Sequence, residues 1–117
     1  MTVYFYKTDS GNAPVADLIE NLSPQEQKYF YAILNRCNNS TVNILHRVKF
    51  FKKLKGSKLH ELKINMPDKT YRILCFIKGD VLYLLHSFIK KTQKIQSREL
   101  KTALLRLKLL NKQLAFN

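Results

Sequence analysis

Residues 59–88 read LHELKINMPDKTYRILCFIKGDVLYLLHSF, and this stretch decides the fold of the 117-residue chain. Three runs within it are rich in leucine, β-branched and aromatic residues, which is typical of strands. These runs are residues 59–65, 71–77 and 81–88. Turn-forming residues separate them at 66–69 and at Gly79-Asp80. Turns this short reverse the chain between neighbouring strands, so the stretch predicts an antiparallel meander.

The segment before the meander predicts one more strand and a helical hairpin. Residues 2–6 are β-branched and aromatic, and Pro14 then begins a pattern of apolar residues spaced three and four positions apart. Ser23 and Glu26 have the spacing of a capping box, which predicts the start of a second helix. The apolar spacing continues that helix to about Arg36.

Two further segments complete the predicted secondary structure. Residues 44–55 have an apolar spacing that suggests one or two helical turns, and Gly56 ends them. After the meander, Ser97 is predicted to cap a last helix with Glu99 in its first turn. The apolar face expected for that helix consists of Leu100, Ala103, Leu104, Leu107 and Leu110.

These elements together predict an α+β fold. We expect an antiparallel sheet, in which the strand at residues 2–6 joins the meander. The sheet is expected to be packed by an N-terminal helical hairpin and a C-terminal helix. One domain is expected to span residues 1–117, because a chain of this length is too short for two domains of ordinary size.

Positive charge is concentrated in the second part of the chain. Residues 1–46 hold three basic and four acidic residues, whereas residues 47–117 hold eighteen basic and four acidic residues, a net charge of +14. Like charges at this density repel one another in the compact state, and a polyanionic partner relieves that repulsion. Charge alone leaves nucleic acid, an anionic membrane surface and an acidic protein open as partners, of which nucleic acid is the usual one.

Hydropathy predicts a cytoplasmic protein without a membrane segment. The longest apolar runs, 73–77 and 81–85, are far shorter than the ~20 residues that a membrane-spanning helix needs. The first seven residues have neither the basic start nor the apolar core of a secretory signal peptide.

The residues that could carry chemistry are basic. No metal-ligand spacing such as CxxC or HExxH is present, and the acidic residues are few and scattered, so we expect neither a metal nor another cofactor. Basic side chains instead lie on neighbouring predicted strands and in the loops beside them. They are Lys55, Lys58, His60, Lys63, Arg72, His86, Lys90, Lys91 and Lys94. Metal-free RNA cleavage needs such groups, because cations stabilise the phosphorane while an acid and a base transfer protons.

Two motifs in this basic region resemble those of RelE/ParE-superfamily toxins. Residues 51–63, FKKLKGSKLHELK, are similar to the segment that enters the second strand of these toxins. Residues 71–76, YRILCF, look like their arginine-bearing strand. Residues 84–94, LLHSFIKKTQK, followed by RELKTA at 98–103, resemble the HigB or phage Gp49-like branch. The resemblance is confined to the second part of the chain at the level of motifs.

The resemblance implies a type II toxin with a RelE-like fold. Such a toxin is an endoribonuclease, an mRNA interferase that cleaves mRNA on the ribosome without a metal ion and so inhibits translation. The resemblance also implies contacts with rRNA and a cognate antitoxin, a helix-turn-helix protein like HigA. Two other functions stay open, namely a ParE-like toxin that inhibits DNA gyrase and a non-catalytic basic RNA-binding module.

The resemblance also assigns roles to residues. Arg72 matches the strand arginine that would hold the scissile phosphate, and Lys63 lies at the basic position that ends the family's ELR motif. Lys91 and Lys94 match the basic run after the last strand. The residues expected to bind RNA are Lys55, Lys58, Lys90 and Lys94. The general base stays open, with His60, His86, Lys63 and Lys91 as candidates and Glu61 as a weaker one.

Strand alternation predicts where these side chains point. Arg72 is expected to face solvent or a partner, so that its replacement leaves the fold intact. Lys63 alternates with two apolar residues and is expected to share an outward face with Glu61. His86 lies in an apolar strand, where packing in the core competes with a catalytic role.

Overall fold

Five strands and four helices follow one another in residues 1–116, the part of the chain that the computed structural model describes. In chain order they are β1 (Thr2–Phe5), α1 (Pro14–Glu20), α2 (Pro24–Asn38), α3 (Val42–Leu45), β2 (Phe51–Lys53), β3 (His60–Asn65), β4 (Thr70–Lys78), β5 (Val81–Ile89) and α4 (Ser97–Ala115). The strands form one sheet in the order β1-β5-β4-β3-β2. The predicted α+β class and the antiparallel meander of β3, β4 and β5 are therefore confirmed.

The sheet is mixed, so the prediction of a purely antiparallel sheet is wrong. β1 lies parallel to β5, with Thr2 opposite Val81 and Phe5 opposite Leu84. All other strand pairs are antiparallel. The helices that follow β1 carry the chain to the far edge of the sheet, and the meander then returns strand by strand towards β1. β5, the last strand of the meander, runs in the same direction as β1, and the two strands therefore pair in parallel.

Residues 44–55 also differ from the helical prediction. Only one turn of helix forms, in α3, where the Thr41 hydroxyl accepts a hydrogen bond from the Ile44 amide. Phe51 instead begins the edge strand β2 and lies opposite Leu62 of β3. Three apolar residues at helical spacing are a weak signal in so short a segment, and pairing with β3 overrides it.

The predicted helix starts have different outcomes. Ser23 and Glu26 form the expected capping box at the start of α2. α4, in contrast, has Gln96 at its N-cap position, and no side chain caps it. A capping box joins residues three positions apart, and Gln96, not Ser97, stands three positions before Glu99. The prediction that Ser97 caps this helix is therefore wrong.

Helices cover both faces of the sheet and divide the core into two clusters. On one face, α1 and α2 pack residues such as Ile19, Phe30 and Leu34 against Leu62 and Ile73 of the sheet. On the other face, the cluster under α4 consists of Tyr6, Leu59, Leu74, Tyr83, Leu85, Ala103, Leu107 and Leu110. Leu104 was predicted for this apolar face but is 45% exposed. Within residues 1–116, no helix is both long and apolar enough to cross a membrane.

Candidate active site

Arg72 lies in the middle of β4 on the face of the sheet that α4 covers. Its neighbour Ile73 belongs to the cluster under α1 and α2, so strand alternation directs Arg72 to the opposite face. There it lies opposite Phe88 of β5 and Lys63 of β3. Arg72 is only 2% exposed, so the prediction that its side chain faces solvent is wrong.

A buried carboxylate explains how the Arg72 guanidinium can be buried. The Nε atom of Arg72 lies 3.2 Å from Oε2 of Glu61, and Glu61 is 1% exposed. The Nε–H bond is not directed at the carboxylate, so the two groups are held by charge rather than by an aligned hydrogen bond. A paired charge can be buried where an isolated one cannot. Glu61 thus shares a face with Arg72, but that face is not the outward one that was predicted.

The loop that follows β5, residues 90–96, covers this ion pair. Nη2 of Arg72 donates a hydrogen bond of 2.7 Å to the backbone carbonyl of Gln93. The small cleft left around Arg72 has a volume of about 10 Å³, enough for a single water molecule. Its lining residues are Arg72, Phe88, Ile89, Lys91, Thr92, Lys94, Gln96 and Glu99. The structure therefore brings Arg72, Lys91 and Lys94 together, with both lysines exposed.

A larger cleft of about 420 Å³ adjoins the ion pair, and we call it the lysine cleft. Its lining residues are Lys52, Leu54, Lys55, Gly56, Ser57, Glu61, Gln93, Lys94, Ile95, Leu100 and Leu104. The turn before β3 forms one wall, and Gly56 adopts φ +76° there, a backbone conformation that favours glycine. This turn directs Lys55 towards the same cleft as Lys94, two of the residues predicted to bind RNA.

His86 joins the sheet to α4 through two side chains of that helix. Its Nε2 atom lies 3.0 Å from Oε1 of Glu99, and its Nδ1 atom lies 3.1 Å from Nη1 of Arg106. A guanidinium can only donate, so Nδ1 accepts and the ring proton resides on Nε2, from which it is donated to Glu99. Arg106 also donates to the Leu85 carbonyl at 2.9 Å. Since Glu99 lines the Arg72 cleft, this network reaches the site.

His60 is not brought to this site. It neighbours Glu61 in β3 and therefore faces the opposite side of the sheet, where its ring stacks on Phe51 with the centroids 5.0 Å apart. His46 lies 5.5 Å away, ring to ring. Burial is the largest cause of a lowered pKa for His60, and the nearby His46 and Lys53 lower it further.

The other predicted basic residues lie around the site rather than in it. Lys63 is opposite Arg72 in the strand register, but it lines a groove along α2 instead of the Arg72 cleft. Lys58 lies beside α4, next to Lys108 and Lys112. Lys90 is half-buried, and its backbone amide donates to the Thr70 carbonyl at 2.7 Å. Of the predicted set, Arg72, Lys91, Lys94 and Lys55 thus surround the buried pair.

Residues 17–108 match the family model described as phage derived protein Gp49-like (DUF891). The chain belongs to this family. Gp49-like proteins are related to RelE-type toxins and are associated with toxin–antitoxin systems. The matched range contains Glu61, Arg72, the loop at 90–96 and Glu99, which are the residues that build the site. No curated protein matches the sequence.

Sequence reasoning missed three contributors to the site, Gln93, Glu99 and Arg106. Glu99 was expected only as a residue in the first turn of the last helix, but its carboxylate lines the Arg72 cleft. Gln93 contributes through its backbone carbonyl, for which side-chain identity gives no signal. Arg106 did leave a signal, because it follows Ala103 by three positions and so falls on the buried stripe of α4. A cation on an apolar stripe indicates a buried polar partner, which here is His86. Across residues 1–116, no group of three or more His, Cys, Asp or Glu side chains is placed to hold a metal ion.

Proposed function

We propose that this Gp49-like protein is the toxin of a type II toxin–antitoxin system, with a RelE-like fold and endoribonuclease activity towards mRNA on the ribosome. The observation that carries the proposal is the convergence of Arg72, Lys91 and Lys94 on one cleft. Family membership supports the toxin class. The net charge of +13 supports a polyanionic substrate.

The proposed reaction uses the 2′-hydroxyl of the RNA as the nucleophile and needs no metal ion. Arg72 binds the scissile phosphate, because a guanidinium presents two parallel donors to two phosphate oxygens. Lys91 and Lys94 add positive charge on the solvent side of the same cleft. Together they stabilise the charge that develops on the phosphorane in the transition state.

Glu99 is the proposed proton acceptor, since its carboxylate lines the cleft beside Arg72. The Nε2–H group of His86 holds that carboxylate in place at 3.0 Å. Glu61 has a positioning role, because its charge keeps the guanidinium of Arg72 at the cleft. The proton that the leaving 5′-oxygen requires is supplied by Lys91, which is exposed in the loop.

Binding of the substrate requires the loop at residues 90–96 to move. A phosphate group does not fit in a volume of about 10 Å³. In the proposed open form, the phosphate replaces the Gln93 carbonyl as the partner of Nη2 of Arg72. The exchange substitutes a charged acceptor for a neutral one, which gives the stronger hydrogen bond.

Single-turnover cleavage of mRNA on programmed ribosomes tests the proposal. Lys91→Ala and Glu99→Gln are each expected to lower the cleavage rate by about 10²-fold, the typical loss for a group acting in the transition state. Arg72→Lys is expected to retain little cleavage activity, because an ammonium cannot reproduce the bidentate contact of the guanidinium. The matched control is Lys112→Ala, in which an exposed lysine of α4 outside the cleft is removed.

Two results would contradict the proposal. One is full cleavage activity in a well-folded Lys91→Ala, Glu99→Gln double variant. The other is inhibition of DNA gyrase supercoiling by the purified protein while translation on ribosomes continues, which is the behaviour of a ParE-like toxin. Growth arrest caused by the protein is expected to be relieved by co-expression of a helix-turn-helix protein that is encoded beside it, if that protein is the antitoxin.

A further inference from the structure

A groove runs along α2, where this helix lies beside Lys63 and Asn65 of β3. It has a volume of about 870 Å³. One wall is a stripe of α2 from Pro24 to Arg36, and the other consists of Lys49, Phe50, Lys63 and Asn65. The stripe covers twelve helical steps and is therefore about 18 Å long. The proposed nuclease chemistry uses no residue of this groove.

The floor of the groove is apolar. Tyr29 and Ile33 border the buried residues Phe30 and Leu34 of α2 and pack partly against the core, and Ala32 lies beside them. Tyr29 and Ile33 are half-buried, and Ala32 is exposed. An apolar strip of this kind, between a helix and the edge of a sheet, has the shape that receives an amphipathic helix.

The rim of the groove is positively charged. Lys28 and Arg36 rise from α2, and Lys49 and Lys63 face them from the other wall. None of the residues that line the groove is acidic. Charges of one sign on both sides of an apolar floor select an occupant with the opposite charge on both flanks.

We propose that this groove docks an amphipathic helical segment of a partner protein, with an apolar stripe between two acidic flanks. The apolar stripe packs on Ala32 and Ile33, and the acidic flanks face the lysines and Arg36. The proposal does not depend on the nuclease function.

A protein segment fits the groove better than single-stranded nucleic acid does. Nucleic acid that binds without sequence preference needs free aromatic faces on which its bases stack. The guanidinium of Arg36 already lies over the ring of Phe50, 4.7 Å from the centroid. The rest of the floor consists of Tyr29, Ala32 and Ile33, of which only the half-buried Tyr29 is aromatic.

The groove and the Arg72 cleft can be occupied at the same time. α2 packs on one face of the sheet and α4 on the other, and the groove and the Arg72 cleft have different lining residues. A partner helix in the groove leaves Lys91 and Lys94 accessible.

A synthetic helical peptide tests the proposal. The probe is a fluorescein-labelled peptide of about 16 residues, with leucines spaced three and four apart and glutamates on both flanks. Fluorescence anisotropy measures its Kd for the full chain. Lys49→Glu is expected to weaken binding roughly tenfold, because an attraction becomes a repulsion. Lys112→Glu changes the net charge equally on a surface outside the groove and is expected to leave Kd nearly unchanged.

A second variant and two control ligands distinguish binding in the groove from general charge attraction. Ala32→Gln adds neutral bulk to the floor at an exposed position. It is expected to weaken binding of the peptide by a similar factor. A peptide of the same composition in scrambled order is expected to bind at least tenfold more weakly. Equal binding of the scrambled peptide, or equal effects of Lys49→Glu and Lys112→Glu, would overturn the proposal. Loss of binding to a single-stranded RNA in both groove variants, with the peptide unaffected, would assign the groove to nucleic acid instead.

Discussion

Arg72 has a structural role in addition to its proposed catalytic one. It is 2% exposed and lies against the equally buried Glu61. Removing one partner of a buried ion pair leaves the other charge uncompensated in the core, at a cost of about 3–5 kcal/mol. Activity measurements on Arg72 variants therefore have to be accompanied by measurements of their stability.

We expect Arg72→Leu to lower the free energy of unfolding by about 3–5 kcal/mol, because the Glu61 carboxylate stays buried without its partner. The double variant Glu61→Leu, Arg72→Leu is expected to recover most of that loss, since two apolar side chains replace the buried pair. Urea denaturation followed by circular dichroism measures both. Lys91→Ala, at an exposed position, is the control, and its free energy of unfolding is expected to equal that of the parent chain. Equal stability of the single and double variants would contradict this account of the ion pair.

The buried ring of His60 predicts how stability depends on pH. Its pKa in the folded state is lower than the ordinary value of 6.5, mainly because of burial. The unfolded chain therefore binds the proton more readily, and stability is lost as pH falls below about 6.5 towards the folded-state pKa.

The variant His60→Phe isolates this effect. Phenylalanine preserves the stack on Phe51 and removes the buried Nδ1 atom, which has no hydrogen-bond partner in residues 1–116. We expect its melting temperature to fall less than that of the parent between about pH 7 and pH 5.5. Thermal melts across that range provide the measurement. The same variant is expected to keep its nuclease rate, because His60 lies on the far side of the sheet; a large loss of rate would place His60 in catalysis after all.

Among the elements, α2 and α4 differ in how their N-termini are stabilised. The Ser23 hydroxyl accepts a hydrogen bond from the Glu26 amide at 3.2 Å, whereas Gln96 at the start of α4 makes no side-chain cap. We expect Ser23→Ala to cost about 1 kcal/mol of stability, the usual value of an N-cap. Ser97→Ala is the matched control and is expected to cost little. A similar loss in both variants, measured by chemical denaturation, would contradict the assigned cap positions.

Elements with local determinants could be predicted from the sequence. The capping box of α2 involves residues three positions apart, and the tight turn between β4 and β5 depends on Gly79, which adopts φ +60°. The parallel pairing of β1 has no local signal, because Thr2 meets Val81 only after the whole chain has folded back. The same holds for β2, a three-residue strand that forms because β3 is beside it.

The candidate site could be predicted only where it depends on local strand geometry. Strand alternation puts Glu61, Lys63 and Arg72 on one face, and the register of β3 and β4 agrees with that. Burial of Arg72 depends on the loop at 90–96 folding back so that Gln93 meets it across twenty-one residues. That contact is a tertiary one, and no spacing within the strand predicts it.

For the whole molecule, the net charge of +13 has a consequence for stability. Self-repulsion in the compact state weakens as salt shortens the distance over which charges interact. We expect the melting temperature to rise when sodium chloride is increased from about 0.05 M to about 0.5 M. Thermal melts at both concentrations provide the measurement, with a lysine-to-glutamine variant of Lys101, Lys108 and Lys112 as a less charged control that should respond less. A falling melting temperature would mean that attractive ion pairs outweigh the repulsion.

The parallel pair of β1 and β5 also affects how the chain completes itself during synthesis. Thr2 emerges from the ribosome early, yet its partner Val81 is added about eighty residues later. At bacterial or eukaryotic elongation rates, that interval lasts on the order of 5–15 s. During it, β1 has no strand to join, and the cluster under α1 and α2 lacks Leu82 and Leu84 of β5. The cluster under α1 and α2 is therefore incomplete until the last strand has been translated. This interval is the natural time for a chaperone or a binding partner to reach the nascent chain.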